Sequence, residues 1–312
     1  MRKALYIFGV CLLGQVSVSA QPPDANPPAR DPEQIPVEII AQIKQTPRDA
    51  LGNFLGRIHW GDWDDITTFV QDAKQDNDAL ARVRQEITKA FGTLNIGFAD
   101  DIEEKIDGDE ATLKIKGIAR FHVGVFFPWK ESITFHREGV KWIDNRGQQR
   151  EYSVWRLVPN QPQKVLMSNE CIGALATYIA YPRQMLSLLD TQASADQIKQ
   201  LSLGVAQFVQ DYNEKFAFTQ ETYRKEITRY IERSEIWTAP GDAVGTQSYS
   251  FNESLLSRKL SDIADAKKTV MIFLNKDGKM DFRYDGKTVV GFVDGHVEIL
   301  NSEQAKNLRW EP

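Results

Sequence analysis

The chain carries four histidines, and they do not cluster. His122 has the neighbours that best suit a reaction. It lies in an alternating apolar stretch beside Phe121, with Asp101, Trp129 and Trp142 in flanking segments. A His–carboxylate pair inside a pocket that shifts both pKa values can transfer protons, and tryptophans can line such a pocket. The plainer reading is a half-buried sheet histidine, and it is favoured because no second acid–base pair stands at a matching spacing. His59 and His136 are scattered through the same region, whose tryptophans are explained mostly by core periodicity.

His296 follows the turn pair Asp294-Gly295. A lone imidazole without further donors at ligand spacing is not a metal site, so it reads as a surface residue beside a turn formed by Asp294. Residues 275–281, NKDGKMD, put Gly278 where a calcium loop needs its glycine. Phe273 and Tyr284 then fall at the first and twelfth positions, where oxygen donors are required, so a hairpin turn is the better reading. Cys171 stands alone on an apolar stretch and reads as a buried thiol. No nucleophile elbow, zincin helix, phosphate loop or dinucleotide fingerprint occurs. No cofactor and no metal are expected, and catalysis is not favoured.

Composition bounds the scaffold that must hold these residues. A chain of 312 residues suggests about two domains. Its 42% apolar and 10% aromatic content is enough for packed cores. Residues 2–20 begin with Arg2 and Lys3, continue as a short apolar run and close on Val18-Ser19-Ala20, which reads as a cleavable signal peptide. Cys11 lies inside that apolar run behind Val10, which speaks against a lipidated form. Cleavage predicts a protein outside the cytoplasm, periplasmic or extracellular, with no permanent membrane span. It also removes two positive charges from a chain of net charge −5. That acidity excludes a basic nucleic-acid footprint. With Cys11 gone, Cys171 has no disulfide partner, so packing must hold both domains.

Residues 21–36 are Pro-rich and aperiodic, an extended tether. A short apolar stripe of Val37, Ile39, Ile40 and Ile43 follows. Thr46-Pro47 with Asp49 predicts a capped helix start, and Ala50, Leu51, Phe54, Leu55 and Ile58 give it a buried face. WDDITTFV predicts a second short helix, and Leu80, Val83, Ile87 and Phe91 mark a third. From Asp100 the period becomes two: Leu113, Ile115, Ala119 and Phe121 alternate with polar residues after the turn pair Asp107-Gly108. ESITFHREGVKWID predicts a hairpin through Glu138-Gly139, and YSVWRLV a closing strand. Helices followed by antiparallel strands make an α+β domain over residues 37–160.

Residues 159–164 read as a linker, and residues 165–312 as a second domain. Its first helix breaks at Pro182. Ser194 with Gln197 suggests a capping box opening a helix that carries Ile198, Leu201, Val205, Phe208, Tyr212 and Phe216. Residues 221–236 predict an amphipathic helix, and TVMIFLN a buried strand. The last stretch, RYDGKTVVGFVDGHVEIL, predicts a hairpin with a two-residue turn at Asp294-Gly295. Counting back from that turn pairs Phe292 with Val297 and Val290 with Ile299, on one apolar face laid against the 198–216 helix.

Residues 46–159 resemble the nuclear transport factor 2-like (SnoaL-like) superfamily. The carriers are Phe54, Leu55, Ile58 and Gly61-Asp62-Trp63, the strand from Asp107 to Ile115, and the stretch from Gly139 to Ile143. The resemblance implies a cone-like domain, a curved antiparallel sheet folded around helices, with a concave pocket that some members use for a small-molecule ligand or catalysis. IKQLSLGVAQFVQDYNEKF, SYSFNESLLSRKLSDIADAKKTVMIF and RYDGKTVVGFVDGHVEIL resemble, in order, three segments of the exported prepilin-like proteins related to type II secretion pseudopilins. That family implies a long helix on a small antiparallel sheet, with structural motif residues at Arg283, Tyr284, Gly286, Phe292, Asp294, Gly295 and His296. Tyr284 stands where the family has histidine, and the family's apolar N-terminal filament helix is replaced by a signal peptide and another domain. Together these features predict an exported, non-catalytic interaction or structural protein of the bacterial envelope, with envelope or secretion-apparatus proteins as partners. The alternatives are a binder or enzyme using the first domain's pocket, and an accessory component of a type II secretion-like system.

Overall fold

A computed structural model describes residues 45–63, 65–91, 101–120, 126–143, 147–165, 172–231 and 233–312. The predicted signal peptide, the Pro-rich tether, the 37–43 stripe, His122 and Cys171 lie outside those residues. The protein is of the α+β class, with helices and two antiparallel sheets. It divides into two compact units, residues 1–185 and 186–312.

In the first unit, α1 (Pro47–Trp60) opens as its sequence predicts. The Thr46 hydroxyl accepts the Asp49 N–H at 3.2 Å, and the Asp49 carboxylate accepts the Thr46 N–H at 3.0 Å. Gly61, at φ 69°, ends the helix in a conformation that costs other residues energy. A single 3-10 turn, Ile66–Phe69, takes the place of the second predicted helix, and α2 spans Asn77–Phe91. The sheet runs β1 (Asp101–Asp107), β2 (Glu110–Arg120), β3 (Phe126–Ile143), β4 (Gln149–Leu157), in that spatial order. Asp107 and Glu110 face each other across a two-residue turn with Gly108 at φ 61°, the geometry such a turn requires. Ala111, Leu113 and Ile115 on β2, Ile133 and Phe135 on β3, and Leu157 on β4 are buried, as period two dictates. They meet Leu51, Phe54, Leu55 and Ile58 of α1, each buried side chain contributing about 1.5–3 kcal/mol.

Two expectations need correction here. Glu138-Gly139 is not a turn: β3 runs through it for 18 residues, pairing first with β2 and then with β4, where Gly139 faces Ser153. Gly139 is not among the glycines at positive φ, and without that conformation a Glu-Gly pair cannot close a tight hairpin. The stretch 159–164 is not a free linker either. The Asn160 N–H donates to Thr177 Oγ1 at 2.9 Å, and Pro162 and Val165 of α3 (Pro162–Val165) are buried. The next helix, α4 (Ile172–Ala180), is buried along its whole length and packs on β3. The break between units therefore falls at Met185, in the first turn of α5 (Pro182–Asp211), rather than near residue 160.

The second unit lays α5 across one face of a sheet ordered β5 (Tyr249–Phe251), β6 (Val270–Lys276), β8 (Lys287–Phe292), β9 (Val297–Asn301), with β7 (Lys279–Met280) returning on β6. Ile198, Leu201, Val205 and Phe208 of α5 join Met271, Ile272 and Val289 in the larger core. Phe216, Phe218, Tyr223, Trp237 and Phe251 extend it with mutually tilted and edge-on rings. The predicted 221–236 helix is shorter, α6 (Tyr223–Thr228) followed by a 3-10 turn at Ser234–Trp237. The far face of the sheet carries a separate, smaller cluster of Val270, Phe273, Val290, Phe292 and Leu300. One short helix, α7 (Ser302–Ala305), follows β9.

Ser194 is not a helix cap. It lies inside α5, which began twelve residues earlier at Pro182, and its hydroxyl is buried against Tyr284. The C-terminal hairpin also differs by one residue from expectation. Gly291 faces Val297, Val290 faces Glu298 and Val289 faces Ile299. The loop is Val293-Asp294-Gly295: the Gly295 N–H donates to Phe292 O at 2.8 Å, the Phe292 N–H donates to His296 O at 2.9 Å, and Gly295 takes φ 84°. A three-residue loop with a left-handed glycine is the next most common hairpin connection, and a one-residue slip turns a strand's side chains over. Phe292 therefore points into the far-face cluster, while Val297 packs on the α5 side. What faces α5 from β8 is Gly291, where a Cβ would come within 2.7 Å of Ile198 Cγ2 and 2.9 Å of Ser202 Oγ.

Candidate functional site

The richest polar arrangement among the described residues surrounds Arg283 and Tyr284 in the second unit. They precede a tight turn in which Asp285 and Gly286 take φ 51° and 73°, and Tyr284 and Lys287 exchange backbone hydrogen bonds of 3.3 and 3.0 Å. That turn sets the two side chains in different surroundings. Arg283 donates through Nε to Asp281 and through Nη1 to Asp242, each at 2.5 Å. Ser248 Oγ donates to the same Asp242 oxygen at 2.5 Å and accepts the Ala239 N–H at 2.8 Å. The network thus pins the loop between Ala239 and Ser248 to the sheet. Burial pushes the Asp242 carboxyl up, but the hydrogen bonds from Arg283 and Ser248 outweigh it and hold it below the usual carboxylate range.

Tyr284 turns the other way and shares a 2.7 Å hydrogen bond with Ser194 of α5. Close by, Tyr249 donates to Gln197 Oε1 at 2.5 Å, and Gln197 Nε2 donates to Thr238 O at 3.1 Å. Burial pushes Tyr284 up to about 12 and raises Tyr249 as well. Both phenols are therefore neutral hydrogen-bonding groups near pH 7, unsuited to act as bases. Arg283 is matched by two carboxylates, so the cluster offers no uncompensated positive charge to an anion.

The hairpin tip is the second group. Asp294 accepts the His296 N–H at 3.0 Å and is also bonded by His296 Nδ1. Burial raises the Asp294 carboxyl, the His296 contacts lower it, and the net result lies below the ordinary range. The imidazole stacks flat on Phe292 with centroids 4.2 Å apart. Lys199 of α5 reaches the Gly295 carbonyl at 2.5 Å. Of the C-terminal residues singled out in the sequence, Arg283 and Tyr284 share one turn, Asp294 and His296 close another, and Phe292 links the hairpin tip to the far-face cluster.

The first-domain candidates are placed as far as the backbone allows. His122 lies outside the described residues. Asp101 opens β1 opposite Lys116, Trp129 pairs with Gly117 near one end of β3, and Trp142 pairs with Arg150 near the other. Trp129 and Trp142 thus belong to opposite ends of the same strand and to ladders with different partners. The residue that sequence reasoning missed here is Glu131. It is buried at 5% exposure, and its carboxylate accepts the N–H groups of Ile172 at 3.1 Å and Gly173 at 2.7 Å. This caps the first turn of α4, whose exposed N–H groups favour a negative charge. The signal was present in the alternation, because Glu131 shares the inward parity of Ile133 and Phe135.

Among the described residues no group of three or more His, Cys, Asp or Glu side chains could hold a metal ion. No described helix is long and apolar enough to cross a membrane. Comparison with family models, with curated proteins and with solved structures found no match.

Proposed function

We propose that this chain is an exported, non-catalytic interaction protein of the bacterial envelope, in which a nuclear transport factor 2-like module precedes a pseudopilin-like one. The observation that carries this reading is how the motif side chains are used. Arg283, Tyr284, Asp294 and His296 are each bonded within the chain, and each fixes a turn or a loop. Such residues hold the second unit's turns and loops in fixed shape, which suits a scaffold presented to another protein. A reaction would need at least one of them poised toward an open site.

Residues 2–20 supply the expectation of export. The test is fractionation of a producing bacterium, intact-mass measurement of the chain, and photo-crosslinking from position 299, where Ile299 is exposed on β9. The reading expects a mature chain starting near Gln21 outside the cytoplasmic membrane, crosslinked to an envelope protein. A chain that keeps Met1 and stays in the cytoplasm overturns it.

A further inference from the structure

The far face of the second unit's sheet is closed by a short segment whose contacts have a separable character. Beside β6, strand β5 forms a ladder only with Ile272, Phe273 and Leu274, and the Asn252 N–H then bonds Met271 O at 2.8 Å. At Val270 the next slot along the same edge is filled by residues 308–310. Arg309 bridges Thr269 in parallel, and the Val270 N–H donates to Arg309 O at 2.9 Å. Asn252 Nδ2 donates both to Val270 O at 2.8 Å and to Trp310 O at 2.7 Å. Ser254 Oγ donates to the same Trp310 carbonyl. The Trp310 indole stands edge-on to Phe273 with centroids 5.1 Å apart, and Leu308 packs beside it.

Every contact here except those of the Leu308 and Trp310 side chains is made to backbone carbonyls. The slot is therefore a strand-addition site that reads an extended segment by its main chain and one aromatic side chain by its shape. The cluster it covers is separate from the larger core. The covering residues Leu308 and Trp310 stay half-exposed, and Lys306 and Asn307, which lead into them, are exposed. Segments held by few buried contacts open at low free energy, independently of global unfolding.

We propose that residues 308–310 are an exchangeable strap, and that the slot they fill within the chain also accepts the same segment from a second copy. The second copy is the occupant because it carries the one sequence already seen to satisfy Val270, Asn252, Ser254 and Phe273 together, and exchange of identical elements creates no new interface. In the intact chain the strap's own high effective concentration, of the order of millimolar, keeps the slot filled.

The test uses the full chain carrying Trp310→Ala and a fluorescent synthetic peptide of residues 305–312. The variant should bind the peptide saturably, and the parent about tenfold more weakly because its own strap competes. A peptide that itself carries Trp310→Ala should bind the variant no better than a scrambled one. A folded variant that binds the peptide no better than the parent overturns the proposal. Should the variant fail to fold, amide exchange on the unaltered chain decides. The Val270 amide, held only by the strap, should exchange at least about tenfold faster than the Ile272 amide, and equal rates overturn the proposal. Sedimentation of the parent should show a dimer that grows with concentration, and a monomer up to millimolar concentration overturns the second copy as occupant.

Discussion

Replacing Gly291 by alanine tests the closest approach in the second unit. Its φ is not positive, so alanine fits the backbone, and losing a glycine from the unfolded chain contributes about 0.4–1 kcal/mol of stability. The methyl, however, would sit 2.7 Å from Ile198 Cγ2 and 2.9 Å from Ser202 Oγ, with Ile272 O at 3.7 Å. Carbon atoms rest about 3.5–4.0 Å apart, so α5 must retreat by roughly 1 Å or Ile198 must leave its rotamer. Both Cγ2 and Oγ hang directly on the Cβ atoms of a helix, so neither has a flexible stem to yield. Overpacking of this kind costs about 1–3 kcal/mol, leaving Gly291→Ala destabilised by about 1.3 kcal/mol at the middle of both ranges after the chain-entropy offset. The partner substitution Ser202→Ala removes a buried hydroxyl that has no hydrogen-bond partner, so alone it should be neutral or mildly stabilising. Combined, the two should recover at least about 0.5 kcal/mol of the loss, a coupling expected only of residues in contact. Urea midpoints read by fluorotryptophan NMR at Trp237, which reports on the second unit alone, give the numbers. Gly291→Ala at parental stability, or strict additivity with Ser202→Ala, would refute the packing argument.

Further outcomes follow from the other contacts. Glu131→Ala strands the Ile172 and Gly173 amides and should cost about 1–3 kcal/mol, measured as a shift in the urea midpoint of the first unit, with Glu131→Gln milder. Phe292→Ala should cost about 3–5 kcal/mol, because its ring is 3% exposed in the far-face cluster. His296→Ala should cost about 0.5–1 kcal/mol through lost stacking, and Gly295→Val should cost more than that because its φ is 84°; thermal melts order the three. The Asp242 carboxyl is depressed in the folded chain, so its contribution is present above the unfolded value, near pH 4, and is lost as pH falls through the lower folded value. Arg283→Met should move that acid loss to higher pH, visible as earlier release of the 239–248 loop in acid titrations followed by NMR. An unchanged profile would mean that the ion pair does not hold the loop.

Local signals were readable in this sequence where one element decides its own conformation. Thr46, Pro47 and Asp49 start a helix because the three residues satisfy each other's backbone groups. Asp107-Gly108 and Asp277-Gly278 make turns because glycine reaches a positive φ cheaply. The failures share a different cause, since the same short pattern is compatible with two structures and distant packing chooses between them. Ser194-x-x-Gln197 fits a helix start, yet the helix begins at Pro182, and Tyr284, ninety positions away, claims the serine. Glu138-Gly139 fits a turn, yet β4 pairs straight across it. At the last hairpin, one extra loop residue sent Phe292 and Val297 to opposite faces, and only the core on each side could fix that register. In the candidate site the sequence singles out Arg283 and Tyr284 but not Asp242 or Ser248, whose partners are brought by tertiary packing; in the first unit the inward parity of Glu131 was readable, while its capping of a distant helix was not.

The length of β3 has one more consequence. Its ladder with β2 covers Phe126 to His136 and its ladder with β4 covers Phe135 to Ile143, so the two overlap at only two positions. Among the described residues β3 pairs with β2 alone over 126–134 and with β4 alone over 137–143, although the Val158 N–H still reaches Thr134 O at 2.9 Å, so most of β3 is a sheet edge on one side or the other. Such open edges invite another strand to dock, the first step toward edge-to-edge association. Past the overlap the sequence reads Arg137, Glu138 and Lys141, and β4 on the outer side carries Arg150, Glu151 and Arg156. An intruding strand would have to strip water from these charges, several of them already matched, as Arg156 is to Glu138 and Arg137 to Asp109. Charge along the rim disfavours growth of this sheet by strand addition.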